Sequence, residues 1–552
     1  MRETGLARMG VSLQRSRLLG FSLVLATTAG VFPAATVSRA QRPERDASGW
    51  DVRHYALRLA VDPAAQTIHG AVTIRARVTA ERLDSVRLDL GQPMTVDSVT
   101  SRGGRLSFAH PGDRLAVTRR GGWRRGERLE ITVWYGGHPD GGLLFATHAG
   151  LPAVASYGLP YNARRWWPCK DTPADKAEEG AELVITVPRG LVVASNGRLV
   201  RHEMGPQGTD LYAWTESYPI YPDAISIAVA DYETFVSFFH DSATDSMPVT
   251  FYVYPEDRAK AERDFAGLID MLESHVATFG PYPFRREKYG VAEFPIRSFR
   301  EHQTLPSYGA PLITGDRKND WILAHELAHQ WFGNLLTVAS WSHIWLNESF
   351  ATYAFALWQE RRGGDSAYRA AMRGLYQPSF EGSLYVADSM DVSHFFGATT
   401  FSKGAWVLHM LRHVMGDSNF FHALRAYVRE FSYGTVVTED FQRVCEREYG
   451  RPLGWFFNEW VYGTGQPAYR LDWASAAQDG DSVTFVTIGQ SSSGRSFIMP
   501  LDLRIARPGG DTTVVVWDSL PTQRWELRLG RGATEVALDP DRWVLRGTEG
   551  AP

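Results

Sequence analysis

The chain has little cysteine: Cys169 and Cys445 are the only two in 552 residues. Two thiols cannot build a disulfide framework, and at most one bridge remains arithmetically possible. It also has no excess of charge. Lys and Arg total 58 against 62 Asp and Glu, a formal charge of −4, so no basic field advertises a nucleic-acid or anionic-membrane partner. Beyond the first forty residues no apolar run is long enough to span a bilayer. Internal repeats, low-complexity tracts, phosphate loops and nucleotide fingerprints are also missing. Hydrophobic residues at 44% and charged residues at 22% exclude a disordered chain and a polytopic membrane protein. What remains is a large globular protein, with about three or four domains at roughly 100–200 residues each. Aromatic residues are plentiful, 12% with 18 Trp, which suits packed β-domains or aromatic-lined clefts.

The first forty residues read as an address. Arg2, Arg8, Arg15 and Arg17 precede an apolar run from Leu18 to about Val37, with Glu3 the single acid before it. The run ends in Val37-Ser38-Arg39-Ala40 before Gln41, with small residues at −3 and −1 of a signal-peptidase site. A run of this length could also stay as an anchor, but its Gly, Pro and Thr content speaks against that. No Cys follows it, which speaks against lipidation. The expectation is a signal peptide over 1–40, export to the periplasm or the medium, and no membrane span after cleavage.

The rest divides by rhythm. Residues 45–237 alternate with period two, as in Val72, Ile74, Ala76 and Val78 or Leu129, Ile131, Val133 and Tyr135, which predicts a β-sandwich-like domain. Gly103-Gly104, Pro139-Asp140-Gly141 and Asn196-Gly197 punctuate these runs as turns. Residues 238–465 turn mainly helical. The spacing predicts helices over 256–279, 319–333, 347–362, 402–415, 417–431 and 438–449, with Gly280-Pro281, Gly363-Gly364 and Gly416 among the stops. Alternation returns in 466–548 and predicts a second, smaller β-domain. The fold class is multidomain α+β, a helical core flanked by two β modules.

Within the helical part, His325-Glu326-Leu327-Ala328-His329 sets two imidazoles at i and i+4 on one helix face, where both reach one ion. Glu326 falls beside them, where a carboxylate could take a proton from metal-bound water. Catalytic zinc uses three protein ligands and keeps a fourth position open, so a third is needed. Glu348, nineteen positions after His329 at the start of the next helical pattern, is the candidate. Two His and one Glu form the zinc set of the thermolysin kind, one Zn2+ per chain.

The run from His325 to Asn334, with Trp345-Leu346-Asn347-Glu348, closely resembles the gluzincin aminopeptidases of the membrane alanyl aminopeptidase and leukotriene hydrolase type. Trp167-Pro168-Cys169-Lys170-Asp171-Thr172-Pro173 with Asp175-Lys176-Ala177, Glu301-His302-Gln303-Thr304 and Ser402-Lys403-Gly404-Ala405 agree with that family over roughly residues 45–470. The resemblance implies a thermolysin-like catalytic domain, zinc held by His325, His329 and Glu348, and Glu326 as general base. It also implies Glu301 as holder of the substrate's free α-amine, with His302 and Gln303 in the same substrate-binding segment. The function it implies is a zinc-dependent aminopeptidase that removes N-terminal residues from peptides.

Three positions depart from the family pattern. The oxyanion-stabilising Tyr is Phe401, the small residues before Glu301 are Ser298-Phe299-Arg300, and an amine-holding Gln or Glu corresponds to Leu159. Tyr385 and Tyr308 are candidates to replace the phenol. Because all three departures touch the substrate, the competing reading is a zinc-retaining but catalytically weak protein that binds peptides or partners in the same cleft. A hydrolase acting on an ester or epoxide is a third. Cys169 and Cys445 read as small buried hydrophobes. Arg361-Arg362 read as a helix C-terminus, and Arg412 with His413 as a helix face instead of a carboxylate clamp.

Overall fold

The computed structural model describes residues 48–547 apart from 159, 243–244, 479–480 and 493–494. The expected signal segment and Leu159 lie outside these residues. In the N-terminal region, alternation becomes sheet. Trp50–Asp62, Thr67–Val78 and Arg128–Gly137 form the middle of a ten-stranded sheet. The register sets Leu57 opposite Val72 and Ile74 opposite Ile131, all buried, while Arg58 and Arg75 on the other face are exposed. A four-stranded sheet of Leu143–His148, Leu151–Ser156, Val192–Ser195 and Ile227–Ala230 accompanies it. Tyr55 meets Trp167 edge to face at 4.8 Å in the same core. Cys169 and Cys445 are both free and buried, and burial pushes both thiols well above their usual range, so neither is a nucleophile.

A five-stranded mixed sheet follows, in the order Glu233–Ser242, Asp245–Val253, Tyr289–Phe294, Ser307–Gly309, Phe299–Arg300. Its first strand runs across the expected boundary at 237/238, because the period-two pattern continues into the next sheet. Phe299–Arg300 is the outermost strand, beside the expected site.

The helices are α1 (Arg258–Asp264), α2 (Leu268–Phe279), α3 (Asp320–Ala328), α4 (Trp345–Gly374), α5 (Gly404–Met415), α6 (Asp417–Glu430), α7 (Thr438–Tyr449) and α8 (Gly454–Trp460). Three depart from expectation, and one of them is α3, which ends at Ala328, five residues short of the expected 333. The helix over 256–279 is two, broken by the turn Phe265–Gly267 where the buried Asp264 carboxylate accepts N–H bonds from Thr314, Gly315 and Arg317 at 2.6–2.9 Å. The stop at Gly363-Gly364 holds: Gly364, at φ 66° and ψ −164°, lies outside helical geometry and separates two helical stretches within α4, so Arg361-Arg362 close the first and the second runs on to Gly374. The helix expected over 402–415 opens with a π-helical turn, Thr399–Lys403, which carries Phe401.

Aromatic residues lock α4 to α7. Phe350 meets Phe441 edge to face at 4.9 Å, and Trp345 Nε1 donates to Thr438 Oγ1 at 2.9 Å. Gly404 of α5 lies so close to Ser349 of α4 that a Cβ would fall 1.8 Å from its Oγ, so only glycine permits this approach. Arg412 is a clamp after all, but for the protein's own carboxylates. It donates two bonds to Glu360 (2.7 and 2.8 Å) and two to Asp417 (2.8 and 2.9 Å), tying α4, α5 and α6 together. His413 stacks on Trp543 at 4.9 Å and lies 3.3 Å from Asp502, joining the helices to the C-terminal region. That region holds two three-stranded sheets, Ala468–Gln478 with Asp481–Ser491 and Thr522–Arg528, and Met499–Ala506 with Thr512–Asp518 and Glu535–Leu538. Among the described residues no helix is long and apolar enough to cross a membrane.

Candidate metal centre

His325 lies on the last turn of α3, and His329 caps it. The chain then turns back through 330–344 so that α4 presents Glu348 on its first turn. Gly333 makes the return possible. Its φ is 127°, and a Cβ there would stand 2.1 Å from Asn347 Oδ1. The result is a convergence of three side chains, each at most 3% exposed. His325 Nε2 lies 2.9 Å from His329 Nε2 and 3.3 Å from Glu348 Oε2, and His329 Nε2 lies 3.5 Å from the same oxygen.

The other ring nitrogens fix what these atoms present. His329 Nδ1 faces two acceptors, the Phe332 carbonyl at 3.0 Å and Asn347 Oδ1 at 3.1 Å, so it carries the hydrogen and Nε2 offers a lone pair. The Thr352 hydroxyl donates to the Glu348 carbonyl at 2.8 Å and so accepts from His325 Nδ1 at 3.4 Å, turning that Nε2 inward as well. Two lone pairs and a carboxylate oxygen therefore point at one spot with no donor of their own. Such a set fits a divalent cation, and two nitrogens with one oxygen fit zinc. In the metal-free protein one proton does part of that work. Burial opposes charge at His329, but the Glu348 carboxylate overrides it and raises its pKa to about 10. Burial lowers His325 to about 4. Burial would raise Glu348, yet His329 holds it down to about 2.

Glu326 has Oε1 4.0 Å from His325 Nε2, and its buried Oε2 has no partner among the described residues. An orphan carboxylate oxygen beside the metal position is a place for a water. Burial raises its pKa well above the usual range, which makes it a stronger base.

Glu301 lies beside the same ligands, its carboxylate within reach of both His329 and Glu348. Asn347 Nδ2 donates to Glu301 Oε1 at 3.3 Å, and Asn334 Nδ2 holds its carbonyl at 2.7 Å. His302 borders a cavity that Glu301, Tyr221 and Trp341 also line, but both its ring nitrogens are engaged by the protein. Nε2 accepts from the Gly158 N–H at 3.3 Å and Nδ1 meets Ser307 Oγ at 3.2 Å. Burial lowers its pKa to about 3, so it is a neutral piece of wall. Gln303 does not line that cavity. It is fully buried, and its carbonyl accepts from Asn196 Nδ2 at 2.6 Å.

The Phe401 ring lies 5.9 Å from the His325 ring, on the wall of the metal pocket, and carries no donor. Neither proposed substitute takes its place. Tyr385 packs against His343 (5.1 Å) and Tyr462 (5.4 Å), and the Tyr308 ring is buried edge-on against Phe265. Sequence reasoning missed Tyr221. It is buried, lines the cavity at Glu301, and its phenol is pushed up by burial and then by the carboxylates of Glu301, Asp223 and Glu348. The signal for it was the aromatic-proline run Tyr218-Pro219-Ile220-Tyr221-Pro222, where the first β-domain returns to the cleft.

Residues 52–221 match the family described as the Peptidase M1 N-terminal domain, and residues 307–460 match the Peptidase family M1 domain. Aminopeptidase M1-B of Oryza sativa is 29% identical over 330 residues, 55% of this chain and 36% of its own length. The chain spans about two fifths of the length of such curated relatives. A crystal structure of an M1 zinc metallopeptidase from Deinococcus radiodurans is 27% identical, with TM-score 0.64, over 75% of this chain and 94% of that one. Legionella pneumophila aminopeptidase A shares the fold, with TM-score 0.79 over 92% of this chain and 60% of that one, at 17% identity.

One zinc ion per chain is expected by elemental analysis after neutral-pH purification, and His325→Ala or His329→Ala should lose it. Calorimetry should show proton release on zinc binding at pH 7, because His329 is protonated beforehand. Affinity should therefore rise with pH until His329 is neutral. A wild-type protein that takes up no metal would remove the assignment.

Proposed function

This chain belongs to peptidase family M1, and on that premise we propose that it is a zinc-dependent aminopeptidase that removes N-terminal residues from peptides. The observation that carries the reading is Glu301. Its carboxylate is oriented by Asn347, the neighbour of a metal ligand, and so stands at a fixed distance from the chemistry. A free α-ammonium pairs with it, whereas an internal peptide would leave a partly buried carboxylate uncompensated. Zinc, when bound, polarises the scissile carbonyl and lowers the pKa of its water to about 7. Glu326, with its free buried carboxylate oxygen, is the base placed to take a proton from the attacking water and to return it to the leaving amine. Asn347, Thr352 and the Phe332 carbonyl keep the ligands aimed.

The competing reading, a zinc-retaining but catalytically weak binding protein, is not favoured: Glu326 stands beside the ligands with a free carboxylate oxygen, and the relatives are named aminopeptidases. Export is also part of the proposal, on the arginine-flanked apolar run and Val37-Ser38-Arg39-Ala40. Intact mass of the protein expressed from its full gene should then give a chain beginning at Gln41; an unprocessed N-terminus would argue against it.

Glu326→Gln should keep zinc and fold yet lose about 10²–10⁴ in turnover of aminoacyl arylamides, the usual worth of a general base. N-acetylated versions of good substrates should resist the wild type. A Glu326→Gln protein with more than about a tenth of wild-type turnover would reject the base, and cleavage of blocked peptides would reject the exopeptidase reading.

Phe401→Tyr should place a hydroxyl donor on the wall beside His325. A well-aimed oxyanion donor is worth about 10²–10³ in kcat, and the gain should appear in kcat with KM little changed. No gain at all would mean that the oxyanion does not face this residue.

A further inference from the structure

We propose that Arg300 makes the cavity beside Glu301 selective for a first residue with an acidic side chain, aspartate or glutamate. The inference rests on the aminopeptidase reading and names its substrate class. The cavity lies between Tyr221, Trp341, Ile344, Arg300, Glu301 and His302, so it opens where the α-ammonium would be held. Its volume of about 30 Å³ is room for roughly two waters. A carboxylate group is of that size.

The charge arrangement points the same way. The Arg300 guanidinium rests on the Tyr157 ring, 3.8 Å from its centroid. Nη1 donates to the Phe299 carbonyl at 2.5 Å and to Ser298 Oγ at 3.2 Å. Nε is buried without a partner, and among the described residues the guanidinium has no carboxylate within ion-pair distance. Three acids are nearby, and none is within ion-pair distance; Glu326 feels the charge from beside the metal ligands. Glu301 is engaged by Asn347, while burial holds Asp223 well above the carboxylate range as its Oδ1 accepts the Ala163 N–H at 3.0 Å. A partly buried cation with spare donors is costly unless an anion arrives, and a bidentate carboxylate is the anion its fork matches.

Arg300 and Glu301 are consecutive, and they border one cavity with opposite charges. An acidic first residue carries the matching pair, an α-ammonium and a carboxylate two or three bonds from the same α-carbon. A lysyl or arginyl residue would bring its cation to Arg300. A leucyl residue would leave the guanidinium desolvated and unpaired. Ser298 and Tyr157 hold the guanidinium in place, so little ordering remains for the substrate to supply.

The test uses the zinc-loaded full chain against aminoacyl arylamides of Asp, Glu, Ala, Leu, Lys and Arg. The wild type should favour Asp or Glu over Ala and Leu by about tenfold or more in kcat/KM. Arg300→Gln should collapse that ratio by about 10–100-fold, the range expected for a lost charge-assisted contact. Arg300→Glu should turn the preference toward Lys and Arg. An unchanged acidic-to-neutral ratio in Arg300→Gln overturns the proposal while the aminopeptidase reading stands. If the wild type cleaves none of the six, the aminopeptidase reading fails, and binding decides the proposal separately. Calorimetry on zinc-loaded Glu326→Gln should show free L-glutamate binding at least about tenfold tighter than L-leucine, with the margin lost when Arg300→Gln is added. Equal affinity for the two amino acids overturns the proposal whatever hydrolysis shows.

Discussion

Three acceptors aimed at one buried point cannot be stable by themselves. Two imidazole lone pairs and a carboxylate oxygen within 2.9–3.5 Å of one another repel until a cation or a proton joins them. Much of the catalytic region is arranged to keep them there. The Phe332 carbonyl and Asn347 fix one ring, and Thr352 fixes the other. Gly333 lets Asn347 approach, and the Trp345–Phe350–Phe441 packing holds the helix that carries Glu348. A metal supplied to this site is therefore also a contribution to folding, because the unfolded chain has no such convergence.

The N-terminal β-domain takes part in this arrangement. Lys176 Nζ donates to the Asn334 carbonyl at 2.6 Å, and Asn334 in turn holds the backbone of Glu301. Lys288 Nζ donates to the carbonyls of Ser195 (2.9 Å) and Thr304 (3.2 Å), bridging the β-domain and the loop 301–304. Gly197 N–H donates to Thr304 Oγ1 at 2.8 Å, and Gln330, next to His329, accepts the Thr304 N–H at 2.9 Å. The loop is thus held from the sheet on one side and from the metal motif on the other. Both lysines are buried, and burial lowers them to about 7 and about 8. Such charges are tolerated because carbonyls and the neighbouring Glu216 and Glu287 surround them.

How much of this was legible follows from the range of each signal. The His325-to-His329 spacing is local, so its consequence, two imidazoles on one face, could be read directly. Glu348 could be read as a candidate because a short return between two helices constrains where the next helix begins. The two β regions were legible from alternation, which depends only on neighbouring residues. What was not legible depended on contacts between distant segments. The break at Phe265–Gly267 comes from Asp264 meeting residues fifty positions later. Arg412 looked like a helix face because Glu360 and Asp417 come to it from other helices. His302 looked available to substrate because nothing local shows that Gly158 and Ser307 use both its nitrogens. Tyr221 stands in a visible aromatic-proline run, but its relation to Glu301 exists only across two domains.

These distant contacts also decide what the missing phenol means. Three tyrosines come into question in place of Phe401, and their surroundings separate them. Tyr221 senses Glu301 and Glu348, so it belongs to the side of the cleft that would hold the amine. Tyr308 senses Glu326, but its ring is committed to the core against Phe265. Tyr385 is committed to His343 and Tyr462. The wall beside His325 is instead built from Phe401 and Phe299, whose rings lie 5.9 and 6.1 Å from the imidazole. An apolar wall there excludes water and lowers the local dielectric, which strengthens the pull of a bound dication on a developing negative charge. In the proposed reaction this wall supplies no hydrogen-bond donor of its own, while Arg300 and Glu301 would hold the substrate's charged groups.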